Sequence, residues 1–151
     1  VEVTGIDIGN LSEADFAAIE RAFEDHSVLV IRGQHGIDDA KQAAFSRRFG
    51  DLESTISSNP GGEGTAIAIF SNVDAEGNLI PPKDKRMIFN SGNQMWHTDS
   101  SYKPVPAKAS MLSGRVVPPE GGETEFASGR AAWDALTSKE QAEYEPLTAA
   151  G

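Results

Sequence analysis

At 151 residues, with 38% hydrophobic and 24% charged side chains, the chain suits one domain with a real core and is short for two. Its formal net charge of −10 argues against a nucleic-acid surface, which needs clustered Lys and Arg. The lack of cysteine excludes disulfides, iron–sulfur clusters and thiolate zinc sites, and no apolar run reaches the length of a membrane span.

A cytoplasmic protein without nucleic-acid or membrane partners is therefore expected, with a homo-oligomer left open. The chain opens on Val1 rather than Met, from which a missing start is expected. Ser12-Glu13-Ala14-Asp15 is a capping pattern, and Phe16, Ile19 and Phe23 follow at helical spacing, which predicts a helix from about Glu13 to Asp25. Ser27–Arg32 (SVLVIR) has the β-branched composition of a buried strand ended by Gly33. Asp38 then caps a second helix to about Phe49, closed by Gly50. Between Ser54 and Gly92 the chain is rich in Ser, Asn, Gly and Pro, with an apolar island at Ala66–Phe70 and a turn at Glu76-Gly77-Asn78. Such a stretch inside a compact domain is a functional loop or disordered. The basic cluster Lys83, Lys85 and Arg86 falls here and reads as a solvated loop, with an anionic ligand as the alternative. Strands are predicted at Gln94–Thr98, Ala109–Val117 and Thr124–Ala127, joined by Pro- and Gly-rich turns. A short helix opens at Ser128 or Gly129 and runs through Leu136. Thr137-Ser138-Lys139-Glu140 is a capping box for another, broken at Pro146.

The chemistry concentrates in Gly92–Tyr102, GNQMWHTDSSY. Side chains at i and i+2 of a strand project from one face, so His97 and Asp99 would aim an imidazole and a carboxylate at one point. Joined by a second His, that is the facial triad of non-haem Fe(II) oxygenases, which leaves positions open for cosubstrate and O2. The spacing alone leaves a second reading, a half-exposed strand whose polar pair bonds to itself or to solvent. Trp96 and Trp133 read as packing residues.

The blocks around the pair carry a resemblance. WHTDSSY, ASMLSGRVVPPEGGETEF and GRAAWDAL, preceded by SVLVIRGQ…DDAKQAAFSRRFGDLE, resemble the taurine/2,4-dichlorophenoxyacetate (TauD/TfdA) dioxygenase family, over nearly the whole chain. Several blocks in order are more specific than any one motif. The resemblance implies an α+β, mainly β fold, a double-stranded β-helix (jelly roll) with flanking helices. It also implies an Fe(II)-dependent enzyme with 2-oxoglutarate and O2 as cosubstrates. His97 and Asp99 match the first two iron ligands. Thr124, in GGETEF, matches the threonine that helps hold the cosubstrate's distal carboxylate. Asn93 falls where taurine-type members place a substrate-contacting amide, and Ser101 is a second candidate facing the substrate. Thr124 also reads as a plain strand-former, Asn93 as a turn residue and Ser101 as a backbone-satisfying hydroxyl. Ser54–Gly92 becomes the candidate lid. His26 and His35 occupy positions that do not bind iron in the family.

In the family the second histidine and the arginine for 2-oxoglutarate come from a later segment, and no remaining His or Arg here fits by motif. The 151 residues are thus expected to be the N-terminal part of a single domain, its barrel truncated after the first half. Alone, they would hold iron weakly. The implied reaction is hydroxylation of a small anionic substrate, foremost an aryloxyalkanoate such as 2,4-dichlorophenoxyacetate, releasing succinate, CO2, a phenol and glyoxylate. An alkylsulfonate- or taurine-type dioxygenase and a non-catalytic fragment are the alternatives. A zinc- or other metal-dependent hydrolase on a β-barrel also stays open, with only His97 and Asp99 in its favour.

Overall fold

The computed structural model describes residues 1–53 and 66–147. The chain divides into two compact units, Val1–His35 with Met111–Gly151, and Gly36–Ser110.

The first unit holds β1 (Glu2–Val3), α1 (Glu13–His26), β2 (Val30–Ile31), α4 (Gly129–Asp134) and α5 (Ser138–Tyr144). α1 starts as its sequence demands. The Ser12 hydroxyl accepts from the Asp15 amide at 3.1 Å and the Asp15 carboxylate accepts from the Ser12 amide at 3.3 Å, so the capping box is closed. Phe16 and Ile19 are the buried face of α1, with Ile19 only 3% exposed. β1 and β2 pair in parallel, Glu2 opposite Val30 and Val3 opposite Ile31. Beyond that pair Gln34 takes over the bonding. Its side-chain amide donates to the carbonyls of Ile6 (2.8 Å) and Arg32 (2.9 Å) and accepts from the Ile8 amide at 2.9 Å. Arg130 of α4 reaches the end of α1, donating to the Glu24 carbonyl at 3.0 Å and to the Ser27 hydroxyl. It thereby satisfies a terminal carbonyl of the kind every helix leaves over. The Thr137–Glu140 capping box of α5 is present as predicted.

The second unit holds α2 (Asp39–Arg47), α3 (Lys85–Asn90) and a 3-10 turn at Ser91–Gln94. The Asp38 carboxylate caps α2 by accepting from the Lys41 amide at 2.8 Å. Phe45 is buried and meets Phe49 edge-on, with ring centroids 5.6 Å apart. The turn predicted at Glu76-Gly77-Asn78 closes a small hairpin. Val73 and Leu79 form an antiparallel bridge, the Asp74 carboxylate accepts from the Glu76 and Asn78 amides, and Gly77 takes the left-handed conformation at φ +84°. Helix α3 was not anticipated, because its six residues are too few to display a period. Its cap is readable in retrospect: Asp84 accepts from the Arg86 amide and forms a two-pronged pair with the Arg86 guanidinium, both bonds 3.0 Å. Arg86 holds the Asp84 carboxyl down to about 2. The basic cluster is therefore partly neutralised by its own neighbour.

The expected strands and the expected burial of Trp96 need correction. The predicted strands at 94–98, 109–117 and 124–127 are not strands, and Ser27–Arg32 yields only the short β2. Among the described residues β1 and β2 are the only paired strands, so a mainly β jelly roll is not seen directly. The reason is physical: a strand is stable only when its backbone bonds to a neighbour, and these segments have no partner strand among the described residues. Their apolar side chains stand in solvent, Val116 at 93% exposure. Trp96, expected in a core, is 69% exposed. Of the loop expected over Ser54–Gly92, residues 54–65 lie outside the described residues, and 66–92 contain the hairpin and α3. No helix among the described residues is long and apolar enough to cross a membrane.

Candidate metal centre

His97 and Asp99 follow directly on the 3-10 turn, which Met95 leaves in extended conformation at φ −92°, ψ 143°. Without strand pairing, their side chains still converge. His97 Nε2 and Asp99 Oδ1 stand 3.2 Å apart, at 47% and 56% side-chain exposure.

Each side chain is also held at its far atom. His97 Nδ1 lies 2.7 Å from the Met95 carbonyl oxygen. A carbonyl only accepts, so Nδ1 must carry the proton and donate; the tautomer is assigned from this bond. In the neutral ring the lone pair then sits on Nε2, the atom that faces Asp99. On the carboxylate, Oδ2 accepts from the Ser110 hydroxyl at 2.6 Å, which leaves Oδ1 facing Nε2. Two lone-pair donors 3.2 Å apart repel unless a proton or a cation lies between them. The Met95 carbonyl, followed by the Asp99 carboxylate, pushes the His97 imidazolium above its ordinary range.

The donor set fits a divalent first-row metal. Imidazole nitrogen with carboxylate oxygen is the ligand chemistry such ions take. With bonds of about 2.1 Å, adjacent ligands at right angles lie about 3.0 Å apart, close to the observed spacing. A donated Nδ1–H on the ligating imidazole is the usual orienting contact in metal sites. No cluster of three or more His, Cys, Asp or Glu side chains suited to a metal exists among the described residues. The pair is two donors, not a complete shell.

The loop that follows Asp99 is pinned from a distance. Ser100 adopts φ +57°, uncommon for a residue with a Cβ, and its hydroxyl donates to Glu53 at 2.7 Å. The same Glu53 oxygen takes Lys103 Nζ at 2.7 Å. Those bonds, Lys103 first and Ser100 second, hold the Glu53 carboxyl below its ordinary range. Neither Glu53 nor Ser110 carried a readable signal, since each meets its partner across an interval of sequence with no periodicity.

Asn93 lies in the 3-10 turn and Ser101 in the turn after Asp99, both exposed and in the same unit as the pair. Thr124 belongs to the other unit, exposed and outside regular structure. His26 ends α1, and His35 follows Gly33 in the loop after β2.

Comparison with known proteins adds an independent line. The family model described as "Taurine catabolism dioxygenase TauD, TfdA family" matches residues 1–150. The alpha-ketoglutarate-dependent 2,4-dichlorophenoxyacetate dioxygenase of Cupriavidus pinatubonensis is 42% identical over 143 residues, covering 92% of this chain and 50% of that protein. The (S)-phenoxypropionate/alpha-ketoglutarate-dioxygenase of Delftia acidovorans is 42% identical over 138 residues, 89% of this chain and 44% of its own length. Among solved structures, AAD-2 in complex with Mn(II) and N-oxalylglycine superposes with a TM-score of 0.81 at 38% identity, over 95% of this chain and 50% of that one. The chain thus spans about half the length of the curated relatives it matches.

Proposed function

Since the chain belongs to the taurine catabolism dioxygenase TauD, TfdA family, we propose that its protein is an Fe(II)- and 2-oxoglutarate-dependent dioxygenase of a small anionic organic substrate. An aryloxyalkanoate such as 2,4-dichlorophenoxyacetate is the foremost substrate. The observation that carries this reading is the convergence of His97 Nε2 and Asp99 Oδ1, each side chain held by a contact on its opposite atom. The names of the phenoxy-acid relatives support the substrate class.

In this reading His97 and Asp99 hold the iron. With O2 and 2-oxoglutarate, Fe(II) supplies the oxidation: the cosubstrate leaves as succinate and CO2 while one oxygen atom hydroxylates the substrate. A hydroxylated carbon beside an ether oxygen then collapses to a phenol and glyoxylate. The chain's own residues bind and orient. Thr124 is the hydroxyl donor for the cosubstrate's distal carboxylate. Asn93 and Ser101, on either side of the pair in sequence, are the candidates for substrate contact. Residues 1–151 form the N-terminal part of one catalytic domain, and the third iron ligand with the 2-oxoglutarate arginine comes from the length of the relatives that this chain does not cover. The acidic, cysteine-free composition supports a cytoplasmic location.

The test is succinate formation by the full-length protein supplied with 2-oxoglutarate, O2 and 2,4-dichlorophenoxyacetate. Succinate and phenol that appear together, and only after Fe(II) is added, are expected. No succinate under those conditions would sink the enzyme reading, and faster turnover of taurine would move the protein to the alkylsulfonate alternative.

A further inference from the structure

We propose that Ser110 is a positioning residue for the metal centre, selecting which oxygen of Asp99 faces the metal. This rests on the reading of His97 and Asp99 as ligands and adds to it a residue outside their motif.

A free carboxylate offers two equivalent oxygens, and a ligating Asp can bind through one or through both. Here the two are made unequal. Ser110 donates to Oδ2 at 2.6 Å, the short distance of a charge-assisted O–H···O bond. Oδ1 is left pointing at His97 Nε2. At more than half exposure, Asp99 gains little restraint from packing, so rotation about its carboxylate torsion is limited by this bond on Oδ2 together with the His97 contact on Oδ1. The bond spans 11 positions of sequence. It ties the segment after Pro106 to the loop that carries both ligands. With Oδ2 taken by Ser110 and Oδ1 facing Nε2, a metal held there would be bound by Asp99 through one oxygen. The arrangement mirrors the other ligand, where the Met95 carbonyl occupies His97 Nδ1 and leaves Nε2 open. Both orienting contacts come from outside the pair, and both leave Nε2 and Oδ1 facing each other.

The experiment is an anaerobic Co(II) titration of the full-length protein, read as dissociation constant and visible absorption spectrum, for wild type and for Ser110→Ala, Ser110→Thr and Asp99→Ala. Ser110 is exposed, so its truncation leaves no cavity, and circular dichroism checks each variant's fold. Ser110→Ala should weaken Co(II) binding by about tenfold, the lower end for loss of an orienting contact, and alter the band shape. Ser110→Thr keeps the hydroxyl and should restore both. A Ser110→Ala protein with wild-type affinity and spectrum, alongside an Asp99→Ala protein that has lost the metal, would overturn the role of Ser110 and leave the ligand assignment standing. Wild-type Co(II) affinity in Asp99→Ala would overturn both. Should Ser110→Ala misfold, Ser110→Thr still decides: an affinity as weak as that of Asp99→Ala would contradict a role that needs only the hydroxyl.

Discussion

Helix α1 and the segment from Ala109 to Ala127 each carry seven apolar residues and meet opposite fates. α1 closes its own capping box with Ser12 and Asp15 and buries Phe16 and Ile19. The 109–127 segment reads as strands yet forms none, and it leaves Leu112, Val116, Val117 and Phe126 exposed. A helix satisfies its backbone within itself, whereas a strand depends on another strand that can be far away in sequence. Local signals therefore realise α1 within these residues, whereas the strand pattern of 109–127 meets no partner strand among the described residues.

Matched truncations break or sharpen this contrast. Ile19→Ala should have the largest effect, a loss of about 2–5 kcal/mol, the usual range for emptying a buried aliphatic site. Thermal or denaturant unfolding measures it. Ser12→Ala removes the cap but no packing and should cost about 1 kcal/mol, visible as a smaller drop in the same midpoint. Val116→Ala should lie within about 0.5 kcal/mol in the 151-residue chain, as expected for an exposed position away from any special feature. The same substitution in a protein of the relatives' full length should cost several times more if the segment becomes a covered strand there. An equal, small cost in both would show that 109–127 stays open.

The site loop has its own, smaller test. Glu53 titrates below its ordinary 4.5 because it is bonded to Lys103 and then Ser100. Its contribution to stability is complete above about pH 4.5 and is lost as pH falls through the depressed folded value. Glu53→Gln should therefore flatten the acid side of the stability curve and leave its slope above pH 6 unchanged. A steeper acid limb in the variant would remove Glu53 as a clamp on the 100–103 turn.

What could be read in advance follows the same division. Ser12, Asp38 and Thr137 announced their helices because a cap lies within three residues of its target. Asp84 caps α3 in the same way, but that helix is not predicted by the sequence reading, because six residues show no apolar stripe. His97 and Asp99 were legible as a pair from spacing and surrounding blocks. The route to their convergence was not: a strand was expected, and a 3-10 turn followed by an extended Met95 does the work. Ser110 and Glu53 were not legible, because contacts across 11 and 47 positions depend on where loops pass each other. Trp96 stands exposed for the same reason that the expected strands are absent: composition marks a residue as coverable, and only a neighbour covers it.

The central claim is that His97 and Asp99 are two ligands of one iron centre. Anaerobic Fe(II) binding by equilibrium dialysis, comparing the full-length protein with its His97→Ala variant, tests it most directly. Loss of stoichiometric Fe(II) from a variant that keeps its fold is the predicted result. Unchanged Fe(II) affinity in His97→Ala would contradict the assignment.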